Sequence, residues 1–263
     1  GFNACSGKPS PNGAGCFTYE PDRDAYRNVS ASLRGGWRFS DAVETDASFL
    51  RAEGHNYYDG SFVNESKYRQ QVAGGSVKIK ASDRVNVNLT LGRADDYSDS
   101  YANGVYMSRF NTQRDNASLQ GDFAVAAGQL VSVGIDHQND TVESNTEYVE
   151  DSRIVNGVFA QYQGQFGANR FDLSARRDDN SQYGNHTTGG AAWGYDFSPE
   201  LRFSASYGTA FKAPTFNELY YPGYGNANLT PEDSRSFELG LDGRVGSARW
   251  GVHAYETRVD NGV

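Results

Sequence analysis

The residues best suited to chemistry in this chain are oxygen donors gathered in two segments. Glu20-Pro21-Asp22-Arg23-Asp24 sets carboxylates at alternate positions, and Tyr58-Asp59 and Asn64-Glu65 follow in a second polar segment. Hard oxygen ligands at about 2.3–2.6 Å are what calcium takes when neighbouring loops converge. The same residues serve equally well as a solvated acidic surface. Cys5 and Cys16 lie in a Gly/Pro/Ser-rich stretch. Outside the cytoplasm such a pair forms a disulfide that pins its loop, two free thiols or a metal pair being the alternatives. The histidines His55, His137, His186 and His253 are scattered, while Asp178, Asp179, Ser181 and His186 lie close enough in sequence to suggest a hydrolase triad. Loop-rich edges carry that combination by default. The expectation is therefore no catalytic residue and no enzyme.

Composition narrows what could hold these groups in place. The 263 residues carry 24 Lys+Arg against 33 Asp+Glu, a formal charge of −9. That acidity argues against a nucleic-acid partner, which demands a basic face. Two cysteines are too few for a disulfide scaffold, and no four-ligand zinc spacing is present. No apolar run approaches the 18 or so residues of a membrane helix. Gly1-Phe2-Asn3-Ala4-Cys5 has no charged or apolar leader character, and Val259-Asp260-Asn261-Gly262-Val263 breaks off in mid-pattern. Both ends read as internal to a longer polypeptide.

Periodicity supplies the scaffold. Leu201, Phe203, Ala205, Tyr207, Thr209 and Phe211 alternate with Arg202, Ser204, Ser206, Gly208 and Lys212; Val85, Val87, Leu89 and Leu91 alternate with Asn86, Asn88 and Thr90. About twelve such runs lie near 25–39, 43–58, 66–80, 85–98, 105–125, 129–142, 153–166, 169–182, 185–197, 201–213, 233–245 and 249–260, with no good helical stretch. Each is a strand with one apolar and one polar face. Short connections such as Ala81-Ser82-Asp83, Gly167-Ala168 and Gly246-Ser247-Ala248 alternate with longer ones near 59–65, 99–104, 143–152 and 214–232. Trp37, Phe39, Phe123, Phe166, Trp193, Tyr195, Phe197 and Trp250 collect on the apolar face beside the short turns. Short turns, long opposite loops and an aromatic girdle together specify a transmembrane β-barrel. A soluble propeller, the competing architecture, needs four short strands per repeat rather than two runs of about 13 residues. The polar face is charged (Arg34, Arg38, Lys78, Asp196, Arg202, Asp242), which demands a wet or plugged lumen and hence a wide barrel. The fold class expected is all-β, an antiparallel up-and-down transmembrane β-barrel.

One region carries a resemblance. Leu201-Arg202-Phe203-Ser204-Ala205-Ser206-Tyr207-Gly208-Thr209-Ala210-Phe211-Lys212-Ala213-Pro214 is followed by Glu218-Leu219-Tyr220, Gly225-Asn226-Ala227-Asn228-Leu229-Thr230-Pro231-Glu232 and Ser236-Phe237-Glu238-Leu239-Gly240. This ordered string resembles the barrel signature of TonB-dependent outer-membrane receptors. Within that class the stretch from Arg177 to Phe197 and the acidic loops are most similar to those of cobalamin receptors.

The resemblance covers essentially all of residues 1–263 and implies about twelve strands of a 22-stranded barrel. The plug domain, the TonB-contacting segment and the terminal strands would then lie outside the chain. It implies a Gram-negative outer-membrane location and a monomer surrounded by lipid and lipopolysaccharide. Its partners would be TonB and a scarce, bulky transported ligand, cobalamin before a siderophore. It also implies loop-ordering calcium held by Glu20, Asp22, Asp24, Tyr58, Asp59 and Asn64 or Glu65, with Gly60 at a ligand-contacting position. A passive porin shares every pattern above except the signature, and a small barrel hydrolase is a third reading.

Overall fold

In the computed structural model the described residues are 24–60 and 62–262. The strands are β1 Tyr26–Arg38, β2 Val43–Tyr57, β3 Glu65–Ser82, β4 Val85–Ala102, β5 Val105–Ala126, β6 Gln129–Ser144, β7 Ser152–Phe166, β8 Asn169–Asn180, β9 Gly184–Ser198, β10 Leu201–Lys212, β11 Glu232–Val245 and β12 Ala248–Asp260. They form one twelve-stranded sheet in which each strand pairs antiparallel with its sequence neighbours, from β1 to β12. This is the up-and-down transmembrane wall that the alternation specifies.

Register explains why the alternation survives across the whole sheet. Val77 faces Leu89, Leu89 faces Leu119 and Leu119 faces Ile135, so the apolar parity is handed from β3 to β6. On the other parity Asn88 faces Gln120 and Gln120 faces Gly134. A slip of one residue would turn every lipid-facing side chain into the lumen. Leu33, Trp37, Ile135, Phe197 and Val252 stand exposed on the apolar parity. Among the described residues the buried hydrophobics are Val142 and Leu219 alone. A wall like this has no interior apolar layer of its own, because hydrocarbon is its core. Moving each outward Leu or Val from water into that medium contributes about 1.5–3 kcal/mol.

The lumen parity is held by cross-strand ion pairs. Arg34 meets Asp46 at 3.0 Å, and Asp196 bridges Arg170 (3.1 Å) and Arg202 (2.5 Å). Arg176 binds Asp136 and Asp178 together, and His253 lies between Glu238 (2.8 Å) and Asp242 (3.3 Å). The inward cations are thus largely matched by wall carboxylates.

Two expectations change. The loop expected at 99–104 is a tight hairpin: β4 and β5 run on to Ala102 and from Val105, joined by Asn103 (φ 51°) and Gly104 (φ 79°). Positive φ at both central residues is the hairpin turn that Asn-Gly favours. The connection near 214–232 contains a helix, α1 Phe216–Tyr220, where none was expected.

Candidate functional site

The long connections lie at the rim opposite the short turns, and two of them, residues 145–151 and 213–231, interlock with the β8–β9 turn. The organiser is Arg153, the second residue of β7 and buried on the lumen parity. Its Nε donates to Gln182 Oε1 (2.5 Å) in the β8–β9 turn, and its Nη2 donates to the Pro214 carbonyl (2.8 Å). Its guanidinium also lies 4.9 Å from the ring centre of Phe216. Cation–π contact and charge-assisted bonds together fix the loop of residues 213–231 against the wall.

Within that loop, α1 starts on a reciprocal cap. Glu218 N–H donates to Thr215 Oγ1 (3.3 Å), and Thr215 N–H donates to Glu218 Oε2 (2.7 Å). These bonds from Thr215 hold the Glu218 carboxyl below its ordinary range. Leu219 is 2% exposed beneath the helix. Gly225 packs so closely that a Cβ there would meet the Leu219 carbonyl oxygen at 2.6 Å, so only glycine fits the return. Tyr148, from the loop of residues 145–151, donates to Asn217 Oδ1 at 2.6 Å, and Gln182 donates to the Tyr220 hydroxyl at 3.2 Å. Burial pushes the Tyr148 and Tyr183 hydroxyls up, keeping both neutral and able to donate.

Under this loop, on the lumen side, is a cavity of about 870 Å³. Val72, Phe110 and Phe216 give it apolar surface; Asp96, Arg114 and Asp140 give it polar edges. Arg114 is bound bidentately to Asp140 at 2.6 and 2.9 Å, and Gln70 donates to Asp96 at 3.1 Å. A few fixed polar groups around an apolar floor suit capture of a large ligand with both characters. The sequence reading did not single out this cavity. The Thr215-x-x-Glu218 capping signature was the one local clue to the loop's order.

The predicted metal donors fall into three groups. Glu20 and Asp22 lie outside the described residues, as does the Cys5–Cys16 pair. Asp24, Tyr58, Asp59 and Gly60 share the rim, since Tyr26 faces Asn56 and the register carried two residues further sets Asp24 opposite Tyr58. Burial raises the Tyr58 hydroxyl, with a bond from Ser100 opposing it. Asn64 is locked to the β4–β5 turn, its Oδ1 accepting from Asn103 N–H at 2.8 Å. Glu65 lies at the start of β3 with Oε1 2.6 Å from His55 Nε2 and 3.8 Å from Lys67 Nζ. Among the described residues no group of three or more His, Cys, Asp or Glu could hold a metal ion. A Cβ on Gly60 would meet the Val63 carbonyl at 2.0 Å, so this turn also requires glycine.

The residues that suggested a hydrolase are engaged elsewhere. Ser181 Oγ accepts from Ile154 N–H (3.0 Å), Asp178 is bound by Arg176, and His186 Nε2 faces the Tyr183 carbonyl (3.0 Å) while its ring stacks on Phe211 at 3.7 Å.

A lipid-facing wall with a charged lumen, short turns at one rim and an interlocked loop cluster over a cavity at the other is the wall of a transmembrane β-barrel. Residues 5–263 match the family model described as TonB dependent receptor-like, beta-barrel, and the chain belongs to that family. Over 92% of its length it is 28% identical to a vitamin B12 transporter, BtuB, of Photobacterium profundum. Over 91% it is 32% identical to the vitamin B12 transporter BtuB of Vibrio cholerae serotype O1. It spans 40% of the length of each of these relatives. The siderophore receptor PirA of Acinetobacter baumannii shares the fold, with a TM-score of 0.77 at 14% identity over 90% of this chain and 43% of that one.

Proposed function

We propose that the chain forms about half the barrel wall of an outer-membrane receptor that captures cobalamin and admits it using energy delivered through TonB. The observation that carries this is the cavity of about 870 Å³ beneath a loop pinned by Arg153. Similarity to two vitamin B12 transporters supports the choice of ligand. A ligand too large and dilute for passive diffusion needs a site already shaped before it arrives. Fixing the loop in advance lowers the ordering cost of binding. Phe110 and Phe216 would cover an apolar face of the ligand, while Gln70, Asp96 and Arg114 would orient its polar rim.

Residues 1–263 are then a partial barrel domain whose plug and TonB-contacting segment belong to the rest of the protein. Gly60 would contact ligand. Glu20, Asp22, Asp24, Tyr58 and Asp59 would supply calcium donors, with Glu65 beside them. The protein would be a monomer in lipid and lipopolysaccharide. Deleting the gene should abolish saturable, energy-dependent cobalamin uptake. Loss of ferric-siderophore uptake in its place would keep the receptor class and overturn the ligand.

A further inference from the structure

Arg153 holds the loop, yet it is also a buried cation whose charge no carboxylate answers. It is 8% exposed, and its partners are the Gln182 amide oxygen, the Pro214 carbonyl and the Phe216 ring. All of these are neutral. Among the described residues Arg153 takes part in no ion pair, and its Nη1 makes no hydrogen bond. A buried ion is ordinarily paired, because a protein interior solvates a lone charge poorly.

The same residue lines the cavity of about 870 Å³, whose other cations are Arg114 and Lys212. Both are matched. Arg114 holds Asp140 bidentately, Gln138 donates to the same carboxylate at 2.9 Å, and Lys212 meets Glu232 at 3.2 Å. Of the acidic residues, Asp95 has the outward parity of Leu89 and Leu91, while Asp96 faces the lumen. Asp96 accepts from Gln70 and joins no ion pair among the described residues. Arg114, Asp140 and Arg153 share one rung across β5 to β7, and Asp96 stands on the next rung, on β4. At about 4.8 Å per strand, the backbones of Asp96 and Arg153 are roughly 14 Å apart. The cavity thus carries an unmatched cation at one end and an unmatched carboxylate at the other.

We propose that Arg153 is the seat of a phosphate group on the captured ligand, which supplies the counter-ion that the wall withholds. The inference rests on the reading of this cavity as the capture site and names the ligand feature recognised there. Nε and Nη2 keep the loop in place, leaving the N–H groups of Nη1 to donate to phosphate oxygens. Charge selects the class of ligand. A single negative charge satisfies Arg153, while Asp96 at the far end favours N–H donors and repels further anionic groups. Cobalamin meets both demands, having one phosphodiester and a rim of carboxamides. A ferric catecholate complex is polyanionic and meets only the first.

The test is equilibrium binding to the full receptor in detergent, using two corrinoids that differ by the phosphate alone, cobinamide phosphate and cobinamide. The wild type is expected to bind cobinamide phosphate about tenfold more tightly, the lower end for a hydrogen bond to a charged group. Arg153→Gln should bring the two corrinoids to equal affinity. A loosened loop by itself lowers both affinities together and leaves their ratio intact. Gln182→Ala, which takes an acceptor from the clamp and keeps the cation, supplies that comparison and should retain the preference. Arg69→Gln, on the outward parity of β3 opposite Tyr97, should change neither affinity. Equal binding of the pair by the wild type overturns the proposal, as does a preference that survives in Arg153→Gln or is lost equally in Gln182→Ala. Absence of saturable binding of both corrinoids and of cobalamin overturns the capture reading instead.

Discussion

Arg153 and Pro214 are joined across the rim, the arginine Nη2 donating to the proline carbonyl at 2.8 Å. The bond links the first rungs of β7 to the loop that follows β10. A charged donor in a buried position is accommodated here because Nε and Nη2 each meet an acceptor and the guanidinium face meets Phe216. The loop is therefore part of the wall rather than an appendage to it.

Arg153→Met removes both bonds and the cation–π contact while keeping much of the volume. Each hydrogen bond to a charged group is worth about 1.5–3 kcal/mol. Hydrogen exchange across residues 213–231 should accelerate strongly, with the strands of β8–β10 protected as before. Unchanged exchange in that loop would show that Arg153 does not hold it.

The α1 cap makes the rim acid-sensitive. Glu218 is held below its ordinary range by Thr215, so the folded state favours its charged form. Its contribution is complete above the ordinary glutamate range and disappears as pH falls through the lowered folded value. Exchange in α1 should rise on acidification in the wild type. Glu218→Gln should flatten that acid limb. Thr215→Ala should cost about 1 kcal/mol near neutral pH.

Parity gives a direct test of which face meets lipid. Leu89→Arg puts a charge on the outer face and should cost about 2–4 kcal/mol of folding stability in bilayers. Asn88→Arg, the adjacent lumen position, should cost far less. Equal losses in a folding titration with vesicles would mean the faces are misassigned.

Calcium addition should release measurable heat and slow exchange at residues 16–26 and 58–66, if Glu20, Asp22, Asp24, Tyr58 and Asp59 act together. Replacing Asp22 and Asp24 by Asn should remove the heat. No calorimetric signal with the wild type would remove calcium from the account.

The strands were legible because a membrane wall needs one simple rule, alternation; Val85 to Leu91 obey it throughout, and Leu201 to Phe211 break it only at Thr209 and Ala210. The rule fades where both faces meet water. From Tyr97 to Tyr101 the residues are polar on both parities, so β4 and β5 extend past where contrast ends, although Asn103-Gly104 marks their turn. The shared rim position of Asp24 and Tyr58 follows from hairpin connectivity. The Arg153 site was hidden for a different reason. Gln182 and Pro214 come from separate connections, and only the register of β7 to β10 brings them together.

The most direct measurement of the central claim is equilibrium binding of cobalamin to the purified receptor and its rim variants. Saturable binding is predicted for the wild type, weakened in Phe110→Ala and Arg153→Met and unaffected by Arg69→Gln on the outer wall. Absence of saturable binding, or equal affinity in the wild type and both rim variants, would contradict the assignment of this cavity as the site of capture.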